Sequence, residues 1–383
     1  MKAFTHASGY DGNGNWFTDK TILFNNGTIE AIQDEKPSAA YEVIDVSGKV
    51  ITPGLIDVHT HIGVFEQGIG QEGHDFNETS NATTAEIRAL DGINPFDKGF
   101  EDARAGGITT VQILPGSANV IGGEMVVVKT VGTVVDDMVV RNPSGLKAAT
   151  GENPKRVHGG KGKLPTTRMG VAALLRKKLI EAQNYLQSLE KEQHDRNLEM
   201  EQIAKVLRRE IPLRVHAHRA EDIATVIRVK NEFSIDVTIE HGTEGHFIID
   251  LLQQHPQISI AVGPTMTSRS KVELAHRGWH TLTALQEAGI PFTITTDHPV
   301  VTIEHLMTSA IMGVKHGLKE SIALQSITLF GAKHLGIEHR VGSIEEGKDA
   351  DMVIWEGDPF DLRNSVEATF INGYMVYSKH DNS

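Results

Sequence analysis

Apolar runs along the chain alternate with segments whose apolar positions recur every three or four residues. The runs at 50–60, 109–114, 213–218, 237–241, 258–262 and 292–297 are short, nearly continuous and rich in β-branched residues, which predicts buried strands. Between them, Val171, Leu175, Leu179, Ala182, Leu186 and Leu189 recur at helical spacing and predict a helix over 171–189. The polar stretch 193–196 breaks it before a second helix over 198–209. Strands alternating with helices over about 290 residues predict a parallel sheet, at a length that suits a (β/α)8 barrel. A doubly wound sheet fits the periodicity equally well. However, Pro115-Gly116-Ser117 and Ile121-Gly122-Gly123 match neither the Walker A nor the dinucleotide-binding glycine spacing. The polar, aperiodic stretch 63–95 predicts a long loop.

The two ends of the chain carry a different signal. Asn26-Gly27 lies between Ile22-Leu23-Phe24-Asn25 and Thr28-Ile29-Glu30-Ala31-Ile32. Asn372-Gly373 likewise lies between Phe370-Ile371 and Tyr374-Met375-Val376-Tyr377, with Ala350–Trp355 as a further strand candidate. Asn-Gly between β-prone runs marks a tight hairpin, because both turn residues must take positive φ. The pair predicts either two unrelated surface hairpins or one small β domain assembled from both termini around a central insertion.

Composition narrows the function. The chain has 383 residues and a formal net charge of −13, a surface that repels phosphate backbones and anionic lipid. No apolar run reaches the roughly 18–20 residues of a membrane span, and Met1-Lys2-Ala3-Phe4-Thr5-His6 lacks a signal peptide's apolar core. The expectation is a cytoplasmic protein with neither nucleic-acid nor membrane partners; a homo-oligomer is compatible with it. Cysteine is absent, which excludes thiolate metal sites and cysteine nucleophiles in this chain, while the 19 histidines leave imidazole and carboxylate as the available ligands.

The sharpest local feature is Leu55-Ile56-Asp57-Val58-His59-Thr60-His61. Alternate strand side chains share a face, so His59 and His61 point the same way, about 6–7 Å apart. Two imidazoles there can grip one divalent ion, although a core or surface histidine pair leaves the same trace. Three later strands also end on metal-capable residues: Arg214-Val215-His216-Ala217-His218, Thr238-Ile239-Glu240-His241-Gly242 and Thr293-Ile294-Thr295-Thr296-Asp297-His298. One such end is an ordinary solvent-facing strand terminus. Four in chain order match the rule that (β/α)8 active sites gather at the C-terminal ends of the strands.

Together these residues resemble the amidohydrolase superfamily of metal-dependent hydrolases. Pro53-Gly54-Leu55-Ile56-Asp57-Val58-His59-Thr60-His61 is similar to its first-strand signature. Ile327-Thr328, Gly331-Ala332-Lys333-His334-Leu335-Gly336 and Arg340-Val341-Gly342-Ser343-Ile344-Glu345-Glu346-Gly347-Lys348-Asp349-Ala350-Asp351 are similar to its C-terminal signature. The resemblance is nearest to the imidazolonepropionase-like branch, which includes some Xaa-Pro dipeptidases. It implies a (β/α)8 TIM barrel over 51–346, with a β-sandwich domain built from 1–50 and 347–383.

It also implies ligands and roles. His59 and His61 match the first-strand metal ligands, His241 the sixth-strand ligand, and Asp297 the eighth-strand aspartate that binds metal and moves protons. At the fifth strand two readings stand. Either His216 is the ligand and His218 a substrate contact, or His218 with Glu221 mimics the arrangement of family deaminases. The bridging anion of two-metal members falls on a carboxylated Lys147 or on Glu152, with Glu152 favoured because it sits where the strand should end; a one-metal site with an ordinary Lys147 is the third reading. Arg168 is either a bidentate fork for a substrate carboxylate or a plain helix-entry arginine.

The implied cofactor is one or two divalent ions, Zn2+ first, then Mn2+ or Co2+. The implied reaction is attack of metal-activated hydroxide on an amide, cyclic amide or dipeptide C–N bond of a small molecule, with Asp297 as general base. Loops 63–95 and 151–168 would set substrate choice. The competing expectations are a deaminase releasing ammonia from a cyclic amidine and a catalytically silent scaffold.

Overall fold

A computed structural model describes residues 1–189 and 195–380. The first strands are β1 (Lys2–Tyr10), β2 (Trp16–Asn25), β3 (Thr28–Gln33), β4 (Glu42–Asp45) and β5 (Val50–Pro53). The central strands are β6 (Leu55–Thr60), β7 (Ile108–Ile113), β8 (Ile121–Lys129), β9 (Val139–Ala149), β10 (Leu213–Ala217), β11 (Val237–His241), β12 (Ser259–Val262) and β13 (Phe292–Ile294). The last are β14 (Met352–Trp355), β15 (Val366–Ile371) and β16 (Tyr374–Ser378).

The central strands form one eight-stranded sheet in the order β13-β12-β11-β10-β9-β8-β7-β6. Its two edges nearly meet, since Thr60 bridges His298 and the His61 amide donates to the His298 carbonyl at 2.8 Å. Helices such as Arg168–Ser188 and Ala220–Phe233 cover the outside, burying Val171, Leu175, Leu179, Ile223 and Val226. Of the predicted break at 193–196, positions 193 and 194 lie outside the described residues; the next helix starts at Leu198 and ends at Leu207.

The sheet departs from eight uniform βα units in one place. β8 runs antiparallel to both β7 and β9, whereas every other adjacent pair is parallel. The reason lies in the connections. Residues 114–120 and 130–138 join these strands, and a parallel crossover needs a dozen residues or more. The strand candidates from the apolar runs pass over β8, although all nine of its residues are buried. Loop 63–95 carries only short 3-10 turns, at Gly70–Gly73 and Ala89–Gly92. It is pinned at the mouth of the sheet, with the Gly116 amide on the Phe76 carbonyl and the Val120 amide on the Ala82 carbonyl.

Both termini build the second sheet, in the order β16-β15-β14-β5-β1-β2-β3, with β4 against β1. Asn26 and Gly27 (φ 48° and 87°) turn β2 into β3, and Asn372 and Gly373 (φ 49° and 73°) turn β15 into β16, as two-residue hairpins of the mirror-image type require. The sheet closes over Phe4, Phe24, Ile51, Met352 and Phe370, with Phe4 edge-on to Phe24 and Phe370 at 4.9 and 5.0 Å. The chain passes between the sheets at Gly54, where a Cβ would stand 2.2 Å from Thr109 Oγ1.

A buried ion cluster joins the sheets. Lys129 Nζ, at the end of β8, lies 2.5 Å from Asp351 Oδ2 and 2.9 Å from Asp349 Oδ2. Removing one partner of a buried ion pair strands the other charge, at about 3–5 kcal/mol. Lys129→Met is therefore expected to lower unfolding stability by that order in urea titrations, and a change below about 1 kcal/mol would show the cluster to be energetically idle.

Candidate metal centre

The site gathers where β6, β9, β10, β11 and β13 end. His59 and His61 come from the end of β6, and Asp297 sits three residues past β13 in a left-handed conformation, φ 54°. Asp297 Oδ1 lies 3.5 Å from His59 Nε2 and 3.3 Å from His61 Nε2. Burial pushes the Asp297 carboxyl up, yet the His61 hydrogen bond and the His59, His61 and Lys147 charges hold it at about 2. Burial and the Lys147 charge lower His59 to about 4, so its ring is neutral at pH 7.

Each histidine is fixed by the nitrogen turned away from the cluster. His59 Nδ1 donates to Glu240 Oε2 at 3.0 Å, His61 Nδ1 to the Leu114 carbonyl at 2.9 Å, and His241 Nδ1 to the Gly263 carbonyl at 2.7 Å. His218 Nδ1 meets Thr243 Oγ1 at 2.7 Å. Only His216 is turned round. Its Nε2 donates to Glu273 Oε1 at 3.3 Å, and its Nδ1 is buried without a partner among the described residues.

This anchoring has an electrostatic consequence. With its proton committed to Glu240, a neutral His59 ring offers Asp297 only a lone pair, and a lone pair facing a carboxylate oxygen repels it. A cation among His59, His61 and Asp297 reverses that sign. Those three residues offer ligand atoms all within 4.8 Å of one another, as do His216, His218 and His241. Burial lowers His216, and burial with the neighbouring histidines drives His218 and His241 well below the ordinary imidazole value. Neutral imidazole is the form that binds metal. The residues present therefore fit divalent ions.

The two triads adjoin, the His59 and His241 ring centres being 4.6 Å apart. Lys147, on β9, is fully buried with Nζ 3.4 Å from His59 Nε2. Its charge acts on both triads, reaching His59 and Asp297 in one and His216 and His241 in the other. Burial lowers its amine to about 8.

Other sequence-predicted residues stand further out. Glu152 opens the helix Glu152–Gly159 and exchanges hydrogen bonds with Glu273: its amide donates to Glu273 Oε2 at 3.0 Å, and its carboxylate accepts from the Glu273 amide at 3.4 Å. Arg168 pairs with Asp222 at 3.2 Å and Glu221 at 3.7 Å, beside a cleft of about 490 Å³ between two outer helices. Glu221 is half-exposed and also meets Arg219 at 2.8 Å.

Two buried groups at the site, Glu240 and Glu273, and His334 behind Glu240 were not among the candidates read from the sequence. A signal existed for Glu240, an acid inside an otherwise apolar strand beside a ligand candidate. Glu273 lies in an aperiodic loop and gave none.

Comparison with known proteins agrees with this geometry. A model of the amidohydrolase family matches residues 50–376. The crystal structure of an amidohydrolase from Thermotoga maritima MSB8 superposes with a TM-score of 0.96 at 40% identity, covering 99% of this chain and 100% of that one. A prolidase crystallised with N-methylphosphonate-L-proline shares the fold, with a TM-score of 0.64 at 17% identity over 99% of this chain and 100% of that one. An imidazolonepropionase of Idiomarina loihiensis is 24% identical over 92% of this chain and 88% of its own length. The amidohydrolase tasK of Hapsidospora irregularis is 27% identical over 94% of this chain, which spans only 40% of that protein. The chain belongs to the amidohydrolase family of enzymes acting on C–N bonds.

Proposed function

We propose that the protein hydrolyses an amide or cyclic-amide C–N bond of a small molecule at a two-ion site. The observation that carries this is the pair of adjoining triads, with Lys147 Nζ beside His59, the residue of one triad whose ring lies against His241 of the other. In this reading His59, His61 and Asp297 hold one ion and His216, His218 and His241 the other, with Zn2+ first among nitrogen- and oxygen-seeking ions and Mn2+ or Co2+ as substitutes. Such ions, when bound, make water acidic near neutral pH and polarise a carbonyl.

The chain's own residues supply the rest. Asp297 Oδ accepts the proton of the attacking water and hands it to the leaving nitrogen. Its carboxylate is ionised and at the strand end, as a proton acceptor must be. His241 and Asp297 hold positive φ, at 76° and 54°, a backbone cost of the kind found where a site fixes its ligands. Lys147 is the proposed bridge, its amine carboxylated by carbon dioxide with loss of a proton. Glu152, bonded to Glu273, braces the acid behind His216 instead. Substrate enters past loops 63–95 and 151–168, which are linked where Lys161 Nζ donates to the Thr79 carbonyl at 3.1 Å and where His158 Nε2 meets Asn119 Oδ1 at 2.8 Å, the Asn119 amide in turn donating to Thr84 Oγ1 at 2.9 Å. Arg168 already has two acid partners and is given no substrate role. Glu221 is likewise engaged, so the deaminase arrangement is not adopted.

Exhaustive chelation is expected to abolish hydrolysis in a screen of cyclic amides, dipeptides and N-acyl compounds, and Zn2+, Mn2+ or Co2+ to restore it. Full activity in protein shown metal-free by elemental analysis would overturn the proposal.

A further inference from the structure

The helix Leu329–Leu335 packs at the N-terminal ends of the central strands, opposite the metal centre. Gly331 lies against Ile56, the second residue of β6, and the Leu335 carbonyl accepts from Arg141 Nη1, near the start of β9. This helix carries His334, whose side chain is wholly buried. Its Nε2 is 3.2 Å from Glu240 Oε1, and its Nδ1 is 2.7 Å from Ser259 Oγ at the start of β12. The other Glu240 oxygen accepts from His59 Nδ1 at 3.0 Å. Thr238 Oγ1 donates to Glu240 Oε1 at 2.6 Å, and Arg214 Nη1 stands 3.9 Å from it. Arg214 Nη2 in turn donates to the His334 carbonyl at 3.0 Å.

One carboxylate thus has two imidazoles to serve, one from the floor of the sheet and one in the site. We propose that His334 is a positioning residue for the metal centre, fixing the Glu240 carboxylate so that it aims His59 Nε2 at the ion. The physical reason is torsional. Without His334, Oε1 keeps only the Thr238 hydroxyl, and the carboxylate is freer to rotate toward Arg214 Nη1, 3.9 Å away, so that the His59 ring loses the partner that sets its tautomer and angle. Groups behind metal-binding histidines typically contribute about 10–100-fold to ion affinity. His334 does so one residue further removed, through Glu240.

This inference rests on the proposed ligation by His59, His61 and Asp297. Its test is Zn2+ affinity measured by competition with chelators of graded strength, together with thermal melting of metal-free protein. His334→Leu is expected to bind one of the two ions about 10–100-fold more weakly while the metal-free protein still melts cooperatively, if at a lower temperature. His334→Gln, whose amide still donates to Glu240, is expected to recover wild-type affinity, a rescue that a purely space-filling role would not give. Should His334→Leu fail to fold, Ser259→Ala, which frees the far side of the His334 ring, decides by the same measurement: weakened binding supports the proposal and unchanged binding overturns it. Wild-type affinity in folded His334→Leu overturns the inference alone. Wild-type protein that binds no ion overturns the ligation proposal, and this inference with it.

Discussion

Asp297→Asn is expected to cut turnover by about a hundredfold or more, the usual loss on removing a general base, while the protein stays folded and metal-loaded. Asparagine matches aspartate in shape and tolerates the left-handed conformation that Asp297 adopts at φ 54°. It still offers an oxygen near His59 and His61. What it cannot do is hold a transferred proton. The measurements are kcat on a substrate found in the screen, metal content by elemental analysis, and the circular dichroism spectrum. Wild-type turnover in a metal-loaded variant would show that another group accepts the proton.

Lys147→Ala is expected to drop metal content from about two ions per chain toward one, with most of the activity, whereas Glu152→Gln leaves it near two. Two divalent ions about 3.5–4 Å apart repel strongly unless an anion lies between them. An ammonium group would worsen that repulsion and a neutral amine would not relieve it; a carbamate carries the required charge. Lys147 is suited to become one, because burial brings its amine to about 8, near enough to neutrality for an uncharged fraction to meet carbon dioxide. Bicarbonate in the growth medium should then raise occupancy in the wild type. The reverse pattern, loss on Glu152→Gln and none on Lys147→Ala, would move the bridge to Glu152. One ion in all three proteins would reject a bridge altogether.

How far the sequence foretold this architecture depends on whether each signal was local. The Asn-Gly hairpins were legible because a two-residue turn states its own φ requirement. The HxH pair and the later strand ends were legible because strand alternation is a rule about neighbours. β8 was not, since its glycines obscured the start of an apolar strand and its antiparallel sense follows from connection lengths rather than composition. Within the site, the sequence put Glu152 ahead of Lys147 because Glu152 falls where the strand should end. That depends on where β9 ends, at Ala149, and element ends are the least certain feature of any pattern. At the fifth strand the sequence favoured His216 over His218 as the ligand, yet both belong to one short segment, and the structure brings both to His241. The His334–Glu240–His59 chain joins residues 181 and 94 positions apart in sequence, and no local pattern encodes such a link.

The second sheet also bears on how the chain is made. β5 pairs with β14, Ile51 opposite Ile354, so the strand that leads into the central sheet has a neighbour about 300 residues further along the chain. Between their emergence from a ribosome lie about 300 residues, roughly 15–60 s at about 5–20 residues per second. Throughout that interval β5 presents one open edge, and Lys129 waits with Asp349 and Asp351 not yet synthesised. Completion of this sheet therefore waits until residues 349–355 have been made. A chain cut short before residue 349 leaves a buried lysine unpaired as well as an unmatched strand, and in a cell it is expected to engage chaperones or proteases rather than persist as a truncated enzyme.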